Sequence, residues 1–72
     1  MATDDLDGFG RIAFEYEGKR YPLEVLQSHR GFYIGTTDEE GDPLSRESLE
    51  YFRREADAIQ ALEQGNWTQD TL

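Results

Sequence analysis

An α+β domain, a three- to four-stranded antiparallel meander with one C-terminal helix packed on one face, follows from three observations on this chain. Apolar residues alternate at period two over 10–17 and 21–25, followed by an aromatic and β-branched stretch over 31–37; a helical spacing ending in a glycine occupies 54–64; and glycine-bearing turns separate these stretches. At 72 residues there is room for one core, because a domain of this size buries only about 60% of the surface its unfolded chain exposes. The hydrophobic content is 36% and the net charge is −9, so four Phe, four Tyr and one Trp must supply much of that core.

The first eight residues carry Asp4, Asp5 and Asp7 around a lone Leu6 without periodicity. We therefore expect a flexible acidic tail over 1–8, a single domain over 9–68 and a C-terminal tail over 69–72. In 10–17, Ile12, Phe14 and Tyr16 point one way and Arg11, Glu15 and Glu17 the other, which predicts a half-buried strand. Gly18 supplies a turn, and Tyr21, Leu23 and Val25 alternate with Pro22 and Glu24 in a second strand. Pro22 has no backbone donor, so it should face away from any ladder bond.

Residues 28–31 form the next turn and 31–37 a third strand rich in aromatic and β-branched residues. With His29 and Arg30 as the loop, Val25 lies opposite Ile34 and Leu26 opposite Tyr33, one pair on each face. The stretch 38–43 is an acidic loop broken by Gly41 and Pro43. Beyond it, Leu49, Phe52, Ala56, Ile59 and Leu62 fit a helical stripe beginning near Ser45, but 48–52 also fits a short fourth strand. The second reading is adopted, with a helix over 54–64 that stops at Gly65 and buries Ala56, Ile59 and Leu62 on the sheet. Trp67, just beyond the helix, is either a lid on the core or an interface anchor.

No catalytic, cofactor-binding or metal-binding residues are expected. With no cysteine, disulfides, thiolate nucleophiles and Cys-ligated zinc are excluded. Asp38, Glu40 and Asp42 begin like a calcium loop, but Pro43 stands where the sharp turn needs Gly, and Leu49 where a bidentate carboxylate is required. His29 is a turn residue without a metal-ligand partner nearby, and adjacency to Ser28 does not make a nucleophile–base pair. Asn66-Trp67-Thr68 matches a glycosylation acceptor by coincidence. The N-terminal residues lack the basic and apolar parts of a secretory signal, and no apolar run approaches the ~20 residues that span a bilayer. A cytoplasmic protein without membrane association is expected.

The stretch 30–35 together with 45–52, Glu55-Ala56 and Ala61-Leu62 resembles short uncharacterised bacterial proteins with the same strand, strand and helix tail. No activity is implied by that likeness. Three strands followed by a helix opening with Glu-Ala, over about 20–64, also resembles in architecture the sheet-plus-helix DNA-binding domains of plant transcription factors and phage integrase arms. Those domains present cations to the major groove, whereas this sheet offers Glu15 and Glu24, so direct DNA binding is not expected.

These readings converge on a non-enzymatic protein-interaction module that uses an exposed sheet face. Its expected contact residues are Leu26, Tyr33, Phe52 and Trp67, and its partner is another protein or a second copy of the chain. The alternative is an acidic decoy that imitates nucleic acid and occupies a basic nucleic-acid-binding protein.

Overall fold

The stretch richest in aromatic and β-branched residues forms the centre of a three-stranded antiparallel sheet. The computed structural model describes residues 7–71, so most of the expected N-terminal tail, residues 1–6, lies outside the described residues. Strand β1 (Glu24–Ser28) pairs with β2 (Gly31–Thr37), and β2 with β3 (Pro43–Arg46). Val25 faces Ile34 and Leu26 faces Tyr33, the register that a two-residue loop dictates. The loop is tied by Ser28, whose Oγ accepts the Arg30 N–H at 3.1 Å and donates to the Gly31 carbonyl at 3.2 Å.

Two helices accompany the sheet, and the first corrects the expected strand over 10–17. Arg11–Glu17 is α1, a helix of seven residues. Two turns are too short to persist alone, and both ends of α1 are held by specific partners. Gly18 takes the left-handed conformation, φ 73°, and its N–H reaches the Phe14 carbonyl at 2.8 Å, which makes it a helix C-cap and not a hairpin corner. The other end is capped by Glu47, described below. Tyr16, expected on the buried face of a strand, is 75% exposed, and Ala13, which strand alternation would put on the face of Arg11 and Glu15, is buried.

Before β1, residues 8–10 lie antiparallel to 21–23 through an isolated bridge between Phe9 and Pro22. The flanking residues make the bonds, Gly10 N–H to the Tyr21 carbonyl at 2.9 Å and Leu23 N–H to the Gly8 carbonyl at 3.0 Å. The missing donor of Pro22 therefore costs the pairing nothing.

Pairing on the far side of β2 also differs from expectation. The acidic loop closes tightly, with Asp38 Oδ1 accepting the N–H groups of Glu40 and Asp42 at 2.9 and 3.0 Å. It thus returns the chain for pairing at Pro43, not at 48. The expected fourth strand over 48–52 reduces to two isolated bridges, Ser48 with Gln69 and Phe52 with Phe32. Ladder pairing fails there because Ser48 turns inward, its Oγ accepting the Ile34 N–H at 3.0 Å and donating to the Glu50 carbonyl at 2.9 Å.

Helix α2 (Glu55–Gln64) stops at Gly65 as expected, with acidic Glu55 and Asp57 in its first turn. It packs across β1 and β2, while α1 packs against β3. Its buried face is Ala58 and Ala61 instead of Ala56, Ile59 and Leu62; Ala56 is exposed, Ile59 is 41% exposed and Leu62 is half-buried. Two alanines let the helix axis approach the sheet more closely than Ile and Leu would, and that rotation leaves Leu62 on the helix flank. No helix among the described residues is long and apolar enough to cross a membrane.

Candidate functional site

The side chain that fixes the first helix belongs to a residue more than thirty positions away. Glu47 is 0% exposed. Its Oε1 accepts the Ile12 N–H at 2.9 Å and the Gln69 amide at 2.7 Å, and its Oε2 accepts the Ala13 N–H at 3.0 Å and the Ser45 hydroxyl at 2.6 Å. Burial works against ionisation, but these four donors outweigh it and hold the carboxyl below the usual carboxylate range. Gly10 makes the approach possible, since a Cβ there would lie 2.5 Å from Thr36 Cγ2 and 2.7 Å from Glu47 Oε2. A fully satisfied, ionised carboxylate is a structural joint; it has no free lone pair or proton to offer a substrate.

The same joint anchors the C-terminal segment. Asp70 N–H donates to the Glu47 carbonyl at 2.7 Å, and the Asp70 carboxylate pairs with Arg46 at 2.8 Å. Arg46 in turn donates to the Tyr51 hydroxyl at 2.8 Å. Glu50 holds the Thr68 N–H at 2.9 Å, and the Thr68 carbonyl accepts the Leu49 N–H at 2.8 Å. These contacts set Trp67 in place.

Between α1, the residues before β1, the end of α2 and this C-terminal segment lies an open groove of ≈ 800 Å³, within the size range of sites that seat small ligands or a few side chains. Its apolar residues are Phe9, Ile12, Leu23, Leu62 and Trp67, all of them half-buried. Among the described residues the Trp67 indole N–H has no hydrogen-bond acceptor. The charged lining is Asp7, Glu15, Glu63 and Asp70 with Arg11. Asp70 is held by Arg46, whereas Asp7, Glu15, Glu63 and Arg11 make no ion pair among the described residues.

The four expected contact residues do not share one surface. Trp67 lies in the groove. Phe52 is half-buried and lines a smaller cavity of ≈ 230 Å³ with Asp57, Gln60 and Asn66. Leu26 and Tyr33 are paired across the sheet, Leu26 half-buried and Tyr33 only 8% exposed. Tyr51 stacks edge-on against Tyr33 at 5.9 Å, with Arg46 and Arg30 over the Tyr51 ring at 5.3 and 5.8 Å. That side of the sheet is thus largely closed at Tyr33.

Sequence reasoning missed Phe9, Ile12, Leu23 and Leu62 as site residues. Ile12, Leu23 and Leu62 read as core from their periodicity, and only Trp67 gave a local signal, as an aromatic residue outside any periodic pattern. No group of three or more His, Asp or Glu side chains among the described residues is arranged to hold a metal ion. No family model, curated protein or solved structure matches this chain.

Proposed function

We propose that this chain is a cytoplasmic, non-enzymatic protein-interaction module and that its docking site is the groove at Trp67. One observation carries the reading: five large apolar side chains from separate parts of the chain remain half-buried around a single concavity, while the tightly packed positions of α2 are given to alanine. Apolar surface gathered in a concave patch is what a partner covers. The face around Leu26 and Tyr33 offers less, because Tyr51 already covers Tyr33.

The test compares capture from a lysate of the source cells at moderate salt by the wild type, Leu62→Ser, Leu23→Ser and Leu26→Ser. The groove variants should lose a partner that wild type and Leu26→Ser retain, with circular dichroism unchanged. Retention by both groove variants overturns the assignment, and loss in Leu26→Ser alone moves the site to the sheet.

The decoy reading draws on the net charge of −9. It predicts capture of a nucleic-acid-binding protein that is insensitive to Leu62→Ser, displaced by DNA, and abolished at high salt.

A further inference from the structure

We infer that the groove takes a cationic amphipathic peptide segment, in which an aliphatic or aromatic side chain seats between Ile12, Leu23, Leu62 and Trp67 and flanking Lys or Arg side chains meet Glu15 and Glu63. This rests on the groove being the docking site and adds the chemistry of its occupant. The argument is charge complementarity around an apolar floor. Glu15 stands one helical turn beyond Ile12 on α1, and Glu63 follows Leu62 on α2, so each carboxylate flanks an apolar floor residue. Neither carboxylate has an internal cation among the described residues. With Asp7 the rim offers three such carboxylates against the single guanidinium of Arg11.

The same charges argue against the other occupants. Residues 1–6 of this chain carry Asp4 and Asp5, and a second copy carries net charge −9, both of the same sign as the rim. An apolar anchor with basic flanks is the chemistry that both floor and rim attract. The unpaired Trp67 indole N–H adds a donor for a backbone carbonyl of the segment.

Because Trp67 is the only tryptophan, its emission reports occupancy directly, and backbone amide shifts locate the site. The full chain is titrated with three short amidated peptides: one alternating Lys and Leu, one alternating Glu and Leu, and one alternating Lys and Ser. The Lys–Leu peptide should shift Trp67 emission and the amides of Ile12, Leu23 and Leu62. Raising salt, or the double change Glu15→Gln and Glu63→Gln, should weaken its binding about tenfold, while Glu40→Gln in the β2–β3 turn should leave it unchanged.

Equal binding of the Glu–Leu peptide overturns the cationic occupant and leaves the groove standing. Equal effects of the Lys–Ser peptide mean that the whole acidic surface attracts cations and overturn both readings. If no peptide perturbs the groove while Leu62→Ser still loses a cellular partner, the occupant is wrong and the docking site is right.

Discussion

Glu47 shows how one residue can decide a local conformation at long range. It lies 35 positions from Ile12 and 34 from Ala13, yet its carboxylate satisfies two N–H groups that the first turn of α1 leaves without helical partners. Replacing it with Gln removes the charge and turns an amide nitrogen toward backbone donors, which should cost about 2–4 kcal/mol in urea denaturation. The pH dependence carries the same signature. A carboxyl whose folded pKa lies below its unfolded value stabilises the fold fully above the ordinary carboxylate range, and that stability is lost as pH falls through the folded pKa. Asp70, through its bonds from Arg46, shifts in the same direction, as does Glu50, where the Thr68 bonds outweigh burial. Unfolding free energy should therefore change little from pH 7 to about pH 5 and fall steeply below about pH 4, and Glu47→Gln should flatten that fall. A parallel loss in the variant would place the acid sensitivity elsewhere. Nothing in the sequence marks Glu47 among the sixteen acidic residues, because a cap supplied from so far along the chain has no local spacing.

At the scale of elements, those whose geometry is set by near neighbours were legible and those set by distant contacts were not. The β1–β2 hairpin was readable to the register, since a two-residue loop and one apolar pair per face leave no other pairing. The end of α2 was equally plain, with Gly65 in the left-handed conformation at φ 69°. Residues 11–17 alternate well enough for a strand, but seven residues carry too little periodic signal to separate the two structures, and the cap from Glu47 tips the balance to helix. The buried stripe of α2 was misread because size suggested Ile59 and Leu62, whereas close approach to the sheet selects Ala58 and Ala61. Two substitutions test that rotation. Ala58→Leu should destabilise by about 1–3 kcal/mol through overpacking, and Ile59→Lys, at a position 41% exposed, should change stability by no more than about 0.5 kcal/mol. Thermal melts showing the reverse order would place Ile59 in the core.

For the whole molecule the dominant quantity is a net charge of −9 on 72 residues. Only two salt bridges hold among the described residues: Lys19 with Glu39 at 3.4 Å, which is exposed, and Arg46 with Asp70 at 2.8 Å. Self-repulsion therefore exceeds pairing, and moderate sodium chloride should raise the melting temperature of the free protein by screening it. The same salt should weaken a cationic peptide in the groove, so stability and binding should move in opposite directions. A melting temperature that falls with salt would mean that attractive pairs dominate after all. Composition, charge and the hairpin register were available from the residue order, because each depends on residue counts or on residues a few positions apart. Helix α1, the polar joint at Glu47 and the groove were decided only when the chain folded. Each needs side chains that meet across long separations, as Phe9, Leu23, Leu62 and Trp67 do, and a short chain with few large apolar residues leaves such meetings to tertiary packing.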